Sequence, residues 1–296
     1  MEKYRQGNYF ANRWLVDDPK AVVVIAHGMA EHPDRYDRLA TFLNSKDFNV
    51  YAINHIGHGD AINNDKGHFD KNGFNDCVEH IYELILDIRK EYKLPVFLFG
   101  HSMGSFMSQA FIKKYSDEID GVILSGSCKI GLLHKMGNVV AHLFFPFGDQ
   151  KKPNNFLNNL SFGSYNNKFK PNRTAFDWLS RDNEEVDKYV ADDLCGYVCT
   201  TGFFKSFLKG MSKLNKNVND IRKDLPILLI SGDQDPVGNF GEGVVELCHN
   251  YLRHNIKDVD IKLYEGARHE LTNEINRDQV HQDILSWLDN RVASLD

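Results

Sequence analysis

Short apolar runs alternate along the chain with longer segments in which apolar residues recur every three or four positions. Ala21–Ala26 is an unbroken apolar run rich in β-branched residues, the pattern of a strand that is buried on both faces. Further apolar segments predict five more strands: Asn49–Ile53, Val96–Phe99, Gly121–Leu124, Ile227–Ile230 and Val259–Tyr264.

The segments between these strands carry the spacing of helices. In Asp76–Tyr92 the apolar residues fall on one stripe, and Pro95 then stops the helix and introduces the next strand. Three other segments have comparable spacing: Arg35–Ser45, Ser105–Ile112 and Arg277–Val292. This alternation predicts an α/β fold, with a mostly parallel central sheet covered by helices on both faces.

The alternation stops between Ser127 and Leu225, where Asn, Lys and Phe are frequent and no strand pattern matches those of the flanking segments. The aromatic residues are too dense for a disordered linker. The sequence therefore predicts a mostly helical cap at 127–225, inserted between two parts of one core at 1–126 and 226–296. The predicted cap contains five aromatic residues of interest: Phe144, Phe145, Phe203, Phe204 and Phe207. Each of them either packs the cap onto the core or lines a pocket, and for any single one we favour packing.

The strand predicted at Val96–Phe99 runs directly into Gly100-His101-Ser102-Met103-Gly104, a G-x-S-x-G pentapeptide. A serine on so sharp a strand-to-helix turn has an exposed hydroxyl, and glycines are needed because a Cβ would collide with the neighbouring strand or helix. The pentapeptide alone is a weak signal. The strand before it and the helix after it make Ser102 the candidate nucleophile.

A serine nucleophile requires a general base and a group that orients this base. The loop after the last predicted strand holds one histidine, His269, and we predict that it is the base. The loop after the strand Ile227–Ile230 carries two carboxylates, Asp233 and Asp235. We favour Asp235 as the acid because Pro236 fixes the chain beside it, whereas Asp233 can cap the turn through the backbone.

Acyl transfer also needs N–H donors for a tetrahedral oxyanion. The backbone N–H of Met103, next to the nucleophile, is one predicted donor. The second is expected in the loop after the first predicted strand, where Gly28 allows a close approach of the backbone and the Met29 N–H follows. His27 and His101 lie in these two loops, and we expect them to hold the loops by packing or hydrogen bonding.

Five motifs now carry a resemblance to a known enzyme family. They are His27-Gly28-Met29-Ala30-Glu31-His32, Asn54-His55-Ile56-Gly57-His58-Gly59, Gly100-His101-Ser102-Met103-Gly104, Gly232-Asp233-Gln234-Asp235-Pro236 and Gly266-Ala267-Arg268-His269-Glu270. Through them the chain resembles the monoacylglycerol lipase and lysophospholipase branch of the α/β-hydrolase fold, also called the serine aminopeptidase S33-like group. The resemblance spans nearly the whole chain. It implies Asp235 as the acid, Met29 as an oxyanion donor and a cap over an apolar acyl channel. Asn54 stands where many relatives have Asp. Because this position is outside the triad, we expect the difference to affect hydrogen bonding in the loop and not the reaction.

Composition excludes several other classes of function. The net charge is −6, so nothing indicates electrostatic binding to nucleic acid or to an anionic membrane surface. No apolar stretch reaches the roughly 18 residues of a spanning helix, and any membrane contact is expected to be transient and made through the cap. Five scattered cysteines, an odd number, favour reduced thiols and a cytoplasmic location. No pattern indicates an oligomeric state.

Thirteen histidines raise the question of a metal. Five of them are crowded near predicted strand ends: His27, His32, His55, His58 and His68. None forms His-x-x-x-His on a predicted helix or His-Glu-x-x-His. Cys195 and Cys199 are spaced to share a helix face, but no second pair completes a zinc-ligand spacing. We therefore expect no catalytic metal and no cofactor.

Together these features predict a serine carboxylic ester hydrolase that works through an acyl-enzyme intermediate. The expected substrate is a small-molecule or lipid ester of monoacylglycerol or lysophospholipid type. The alternatives are a general short-chain carboxylesterase and an S33-type aminopeptidase or amidase. An aminopeptidase would need an acidic cap group to pair with the amino terminus of its substrate, and three residues are candidates: Glu184, Glu185 and Asp187.

Overall fold

A computed structural model describes residues 1–63, 65–131, 141 and 149–295 of the chain. Eight strands form one sheet in the order β1-β2-β4-β3-β5-β6-β7-β8. Their bounds are β1 (Glu2–Gln6), β2 (Tyr9–Trp14), β3 (Ala21–Ala26), β4 (Phe48–Asn54), β5 (Val96–His101), β6 (Gly121–Ser125), β7 (Ile227–Gly232) and β8 (Val259–Tyr264). The strands from β3 to β8 pair in parallel, and β1 and β2 add an antiparallel edge.

Helices cover both faces of this sheet. Their bounds are α1 (Asp37–Asn44), α2 (Gly73–Glu91), α3 (Met103–Tyr115), α4 (Asn155–Phe162), α5 (Asn183–Ala191), α6 (Thr201–Met211), α7 (Glu242–Arg253) and α8 (Arg277–Val292). Side chains of β3 alternate between two hydrophobic clusters, because successive residues of a strand point to opposite faces. Val22 and Val24 pack with α2, α3 and α7, whereas Val23 and Ile25 pack with α1 and α8. The predicted α/β-hydrolase fold is confirmed.

The parallel register brings the carboxyl ends of β3, β5, β6, β7 and β8 to one edge of the sheet. Ala26 pairs with Gly100, and His101 pairs with Ser125. Further along the sheet, Gly232 pairs with Tyr264. The loops that follow these strands therefore meet at this edge, where ligands bind in open α/β sheets.

The six predicted strands are all present, but the edge hairpin β1–β2 and helix α7 were not predicted. Polar Asn12 and Arg13 interrupt the apolar pattern of β2, which hides this strand from a search for apolar runs. The two-residue turn Gly7-Asn8 between β1 and β2, with Gly7 at φ 53°, is a hairpin signal that could have revealed it.

Between β6 and β7 the described residues contain α4, α5 and α6, together with an isolated bridge between Pro153 and Thr200. Phe203, Phe204 and Phe207 of α6 are buried against the core, where Phe203 contacts Phe69. Of the other two predicted cap aromatics, Phe144 and Phe145, nothing is described. Among the described helices, none combines the length and hydropathy needed to cross a bilayer.

Candidate active site

Ser102 lies between β5 and α3 in a backbone conformation that non-glycine residues rarely adopt, with φ 51° and ψ −117°. Neighbouring elements hold this turn in place. The Ser102 N–H donates to the Ser125 carbonyl of β6 at 2.9 Å, and the Ser102 carbonyl accepts from Ser105 N–H at 2.9 Å. The turn is thus built into the sheet edge on one side and into the first turn of α3 on the other.

Two glycines make the close packing around Ser102 possible. A Cβ on Gly104 would lie 2.0 Å from the carbonyl oxygen of Ala26, so no side chain fits between α3 and β3. A Cβ on Gly28 would lie 2.7 Å from Glu31 Oε1 and 3.3 Å from Ser102 Cβ. The loop 27–32 therefore runs directly beside Ser102.

His269 and Asp235 form a buried pair at the same edge. The Nδ1 atom of His269 lies 2.9 Å from Oδ2 of Asp235, and both side chains are at most 3% exposed. The second carboxylate oxygen, Oδ1, accepts the Val237 N–H at 2.8 Å. Burial alone lowers the pKa of His269, but the charge and hydrogen bond of Asp235 outweigh burial and raise this pKa above its ordinary value of 6.5.

Asp233 has different partners, although it is only two residues away. Its Oδ1 accepts the Gly266 N–H at 2.8 Å and the Gln234 side-chain N–H at 3.1 Å. This aspartate thus connects the loop after β7 to the loop after β8. The structure brings Asp235, and not Asp233, to His269.

The two predicted oxyanion donors are the backbone N–H groups of Met103 and Met29, both in segments next to Ser102. Met103 is the first residue of α3, so its N–H has no acceptor within the helix. Met29 follows Gly28 and lines the same cavity as Ser102. The position of both backbones beside the serine is compatible with the predicted donor role.

A charged network, not foreseen from the sequence, connects the loop 27–32 to the His269 loop. Arg35 Nη1 donates to Glu31 Oε2 at 2.6 Å and to Glu270 Oε1 at 2.5 Å, and Arg35 Nη2 donates to Glu270 Oε2 at 2.6 Å. The remaining oxygen of Glu31 accepts the Gly28 N–H and the Tyr36 hydroxyl. The i, i+4 spacing of Glu31 and Arg35 was the available sequence signal, but the place of Glu270 beside His269 was needed to complete it.

Of the two histidines expected to hold the site loops, His27 connects two loops by hydrogen bonds and His101 packs against His269. His27 Nδ1 donates to the Gly28 carbonyl at 2.7 Å, and His27 Nε2 accepts the His55 N–H at 3.2 Å. Burial, reinforced by the charge of His58, lowers the pKa of His27 to about 3, so the ring is neutral. Burial also lowers the pKa of His101 to about 4, and the His101 ring lies 4.7 Å from the ring of His269.

Asn54, the departure from the family motif, keeps its loop closed. Its Oδ1 accepts the Asp60 N–H at 2.9 Å, and its Nδ2 lies 3.5 Å from Asn12 Oδ1. The amide donates to Asn12, which a carboxylate at this position does not do. Asn54 therefore closes the turn after β4 through its oxygen and contacts β2 through its amide nitrogen.

Ser102 and His269 open into a cavity of about 320 Å³. One wall comes from the loop 27–32 and the His269 loop, and the other comes from the segment between β6 and β7. The described lining residues of that segment are Asn158, Asn159, Phe162, Gly163, Asn166, Ala175, Phe176, Trp178, Leu179, Tyr189, Gly196 and Tyr197. The ring of Trp178 lies 5.0 Å from the ring of His269. Phe203, Phe204 and Phe207 are absent from the described lining, so these three aromatics serve the core.

The candidate acidic anchors for an aminopeptidase lie elsewhere. Glu185 accepts hydrogen bonds from Arg38 and Lys188, each at 2.8 Å, and Asp187 is paired with Arg173 at 2.5 Å. Glu184 is exposed in the first turn of α5. None of the three is among the described residues that line the cavity.

The chain is similar in sequence and in fold to known hydrolases. The family model described as serine aminopeptidase, S33 matches residues 17–276. A monoglyceride lipase homolog of Monkeypox virus is 30% identical over 280 residues, which cover 93% of this chain and 91% of that protein. Monoglyceride lipase of Homo sapiens is 28% identical over 303 residues, with coverage of 97% and 89%. A solved structure, a highly thermostable carboxyl esterase from Bacillus coagulans in complex with glycerol, has a TM-score of 0.89 at 26% identity and covers 98% of both chains. The chain belongs to the serine aminopeptidase S33 family of α/β-hydrolases.

Proposed function

We propose that this protein is a serine hydrolase that cleaves neutral lipid esters of the monoacylglycerol type through an acyl-enzyme intermediate. The observation that carries the proposal is the buried His269–Asp235 pair, 2.9 Å apart, in the cavity that also contains Ser102. Relatives named monoglyceride lipase, which align over nearly the whole chain, support the same substrate class.

In the first step His269 accepts the proton of Ser102, and the serine oxygen attacks the ester carbonyl carbon. The backbone N–H groups of Met29 and Met103 stabilise the negative oxygen of the tetrahedral intermediate. When the intermediate collapses, the bond to the alcohol oxygen breaks, and His269 donates the proton to this oxygen. A water molecule, deprotonated by His269, then attacks the acyl carbon and forms a second tetrahedral intermediate. Its collapse breaks the bond to the Ser102 oxygen, which takes the proton back from His269, and the acid is released. Asp235 keeps Nδ1 of the base protonated and stabilises the imidazolium that forms in each step.

The lining of the cavity favours a neutral head group over a phosphate. The amides of Asn158 and Asn159 supply hydrogen-bond donors and acceptors suited to hydroxyl groups, whereas the amide of Asn166 already bonds the Thr174 carbonyl and the Trp178 N–H. No lysine or arginine occurs among the described lining residues, and Glu31 and Glu270 add negative charge beside the base. A phosphate would lack a cationic partner here, so we place monoacylglycerols ahead of lysophospholipids.

We further propose that residues 127–225 act as the cap of a core formed by 1–126 and 226–296. The apolar part of the cavity wall, which includes Phe162, Phe176 and Trp178, comes from this segment. These side chains suit an acyl chain, because apolar and aromatic residues predominate in pockets for such ligands. The cytoplasmic location and a transient membrane contact through the cap belong to the same proposal.

The direct test compares Ser102→Ala with Ser164→Ala, an exposed serine outside the described cavity lining. Each protein is assayed on a monoacylglycerol, a lysophospholipid with the same acyl chain and an aminoacyl amide, and each is exposed to a fluorophosphonate probe. We expect Ser102→Ala to lose labelling and roughly 10⁴-fold or more of kcat on the monoacylglycerol, and Ser164→Ala to behave as the wild type. Labelling that survives in Ser102→Ala, or faster cleavage of the amide by the wild type, refutes the proposal.

A second comparison tests which aspartate is the acid. Asp235→Asn places an amide beside Nδ1 and favours the wrong imidazole tautomer, a change that costs about 10⁴-fold in kcat in a serine protease triad. Asp233→Asn keeps an oxygen acceptor for the Gly266 N–H and leaves the His269–Asp235 pair in place. We expect Asp233→Asn to retain kcat within about tenfold. Equal losses in the two variants would contradict the assignment of Asp235.

A further inference from the structure

Three side chains with different metal-ligating atoms converge outside the ester-cleaving centre. His32 lies in the loop 27–32, and Asp192 and Cys195 lie directly after α5. One ligand atom from each residue lies within 4.8 Å of the other two. No other such group of histidine, cysteine and carboxylate atoms occurs among the described residues.

The turn after α5 orients two of these ligands. Asp192 Oδ1 accepts the Leu194 N–H at 2.8 Å, and the Asp192 carbonyl accepts the Cys195 N–H at 2.9 Å. The second carboxylate oxygen, Oδ2, lies 2.8 Å from His32 Nε2. The turn therefore directs the carboxylate and the thiol towards the same imidazole.

We propose that His32 Nε2, Asp192 Oδ2 and Cys195 Sγ bind one divalent cation of the zinc class. Nitrogen, carboxylate oxygen and sulfur are the three ligand types that Zn²⁺ takes in proteins, at about 2.0–2.3 Å. A tetrahedral ion at these distances separates its ligands by roughly 3.4 Å, so the contact between His32 and Asp192 must lengthen by about 0.6 Å. Binding replaces the thiol proton of Cys195, which passes to solvent.

The surroundings suit a dication with one open coordination position. His32 and Cys195 are 9% and 8% exposed, but the side chain of Asp192 is 35% exposed and leaves a path for the ion and for a water ligand. The carboxylates of Asp192, Glu31 and Glu270 and the guanidinium of Arg35 all act on the Cys195 thiol. With three negative groups and one positive group, the local field attracts a cation.

Such an ion would connect the cap to the loop that carries Met29. The two segments already touch, because Ala30 O accepts the Gly196 N–H at 3.0 Å and the Tyr189 hydroxyl at 3.0 Å. A metal bound to His32 and to Cys195 joins the same two segments a few residues away. The bound ion stabilises this contact and takes no part in ester hydrolysis. The inference does not depend on the proposed substrate.

The test uses the full-length protein, reduced and freed of metal, titrated with Co²⁺ as a spectroscopic substitute for Zn²⁺. We expect one equivalent of Co²⁺ to produce a thiolate-to-cobalt charge-transfer band in the near ultraviolet. We also expect visible absorption bands with the intensity of a tetrahedral Co²⁺ site. The near-ultraviolet band should be lost in Cys195→Ser and kept in Cys248→Ser, the matched control at a buried cysteine outside the cluster. Zn²⁺ should displace the bound Co²⁺ and raise the thermal midpoint by about 5 °C at a hundredfold excess over its Kd.

His32→Gln and Asp192→Asn should each weaken Co²⁺ binding by more than about tenfold. Asp192→Asn keeps the oxygen that accepts the Leu194 N–H, so it should stay folded even if a cysteine variant does not. Failure of the wild type to form the thiolate band overturns the proposal, and so does a band that persists in Cys195→Ser. Either result would mean that the three residues form only a hydrogen-bonded cluster. Neither readout uses ester hydrolysis, so the site and the proposed function can fail separately.

Discussion

We predict that the buried network around Arg35 affects both the stability and the catalytic rate of this protein. Arg35 donates three hydrogen bonds of 2.5–2.6 Å to Glu31 and Glu270. The Arg35 side chain is 10% exposed and the two glutamates are 4% and 5% exposed. The change Arg35→Met keeps most of the side-chain volume but leaves two carboxylates buried without a counter-charge.

Removal of one partner from a buried ion pair costs about 3–5 kcal/mol, because the charge that remains is uncompensated. We expect the free energy of unfolding of Arg35→Met to fall by about this amount in urea titrations. A matched control is Arg13→Met, which breaks the more exposed contact between Arg13 and Glu2 at 3.0 Å. An exposed pair of this kind contributes about 1 kcal/mol or less.

The same change should reduce kcat, because Glu31 also holds the Gly28 N–H next to Met29. Loss of one oxyanion donor costs about 10²–10³-fold in kcat, and we expect Arg35→Met to lose up to this amount on a monoacylglycerol. Burial on its own raises the pKa of Glu31, but the charge of Arg35 holds it below the ordinary value of 4.5. The wild type therefore gains stability from Glu31 above pH 4.5 and loses it as the pH falls through the folded-state pKa.

Without Arg35, burial dominates and the folded-state pKa of Glu31 rises above 4.5. The variant is then destabilised at neutral pH and recovers as the pH falls and the carboxylate takes up a proton. The stability difference between wild type and Arg35→Met should therefore narrow towards pH 4. A loss below about 1 kcal/mol at pH 7, or a difference that does not change with pH, would refute this account of the network.

Three further predictions address the serine turn, the base and the cavity. Gly104→Ala puts a Cβ 2.0 Å from the Ala26 carbonyl oxygen, and urea unfolding should show a loss of about 3 kcal/mol, because this oxygen belongs to the backbone of β3 and cannot rotate away; a loss within 1 kcal/mol would mean that the two elements can move apart. Since the pKa of His269 is raised mainly by Asp235 against the effect of burial, and the base must be neutral, kcat/KM should rise with pH to an inflection above 6.5, and in Asp235→Asn the inflection should move to lower pH. Trp178→Ala frees space beside His269, so the ratio of kcat/KM for branched over linear acyl esters should increase; an unchanged ratio would place the acyl chain elsewhere.

Much of the candidate site can be predicted from local sequence patterns. The loops that hold Gly28, Ser102 and Asp235 each follow an apolar run, whereas the strand before the His269 loop, Val259–Tyr264, includes Asp260 and Lys262. The glycines around Ser102 indicate a turn with no room for side chains. Sequence reasoning could choose between Asp233 and Asp235 through Pro236, through the usual role of aspartate in turns and through the family resemblance. The structure gives the two carboxylates separate partners, Gly266 for Asp233 and His269 for Asp235, because the loops after β7 and β8 lie side by side.

Sequence by itself determined the α/β class, the order of the serine, acid and base loops, and the interruption between residues 127 and 225. These features can be predicted because hydrophobic periodicity, turn glycines and the order of strands and loops depend only on residues that are close together in the sequence. Only the tertiary structure decided that Phe203, Phe204 and Phe207 pack in the core. It also decided how Arg35 joins two glutamates 239 positions apart in the chain. It alone brought His32 to Asp192, 160 positions away. The physical reason is that such contacts depend on the parallel register of the sheet and on how the described residues between β6 and β7 pack against its edge, which no local pattern encodes.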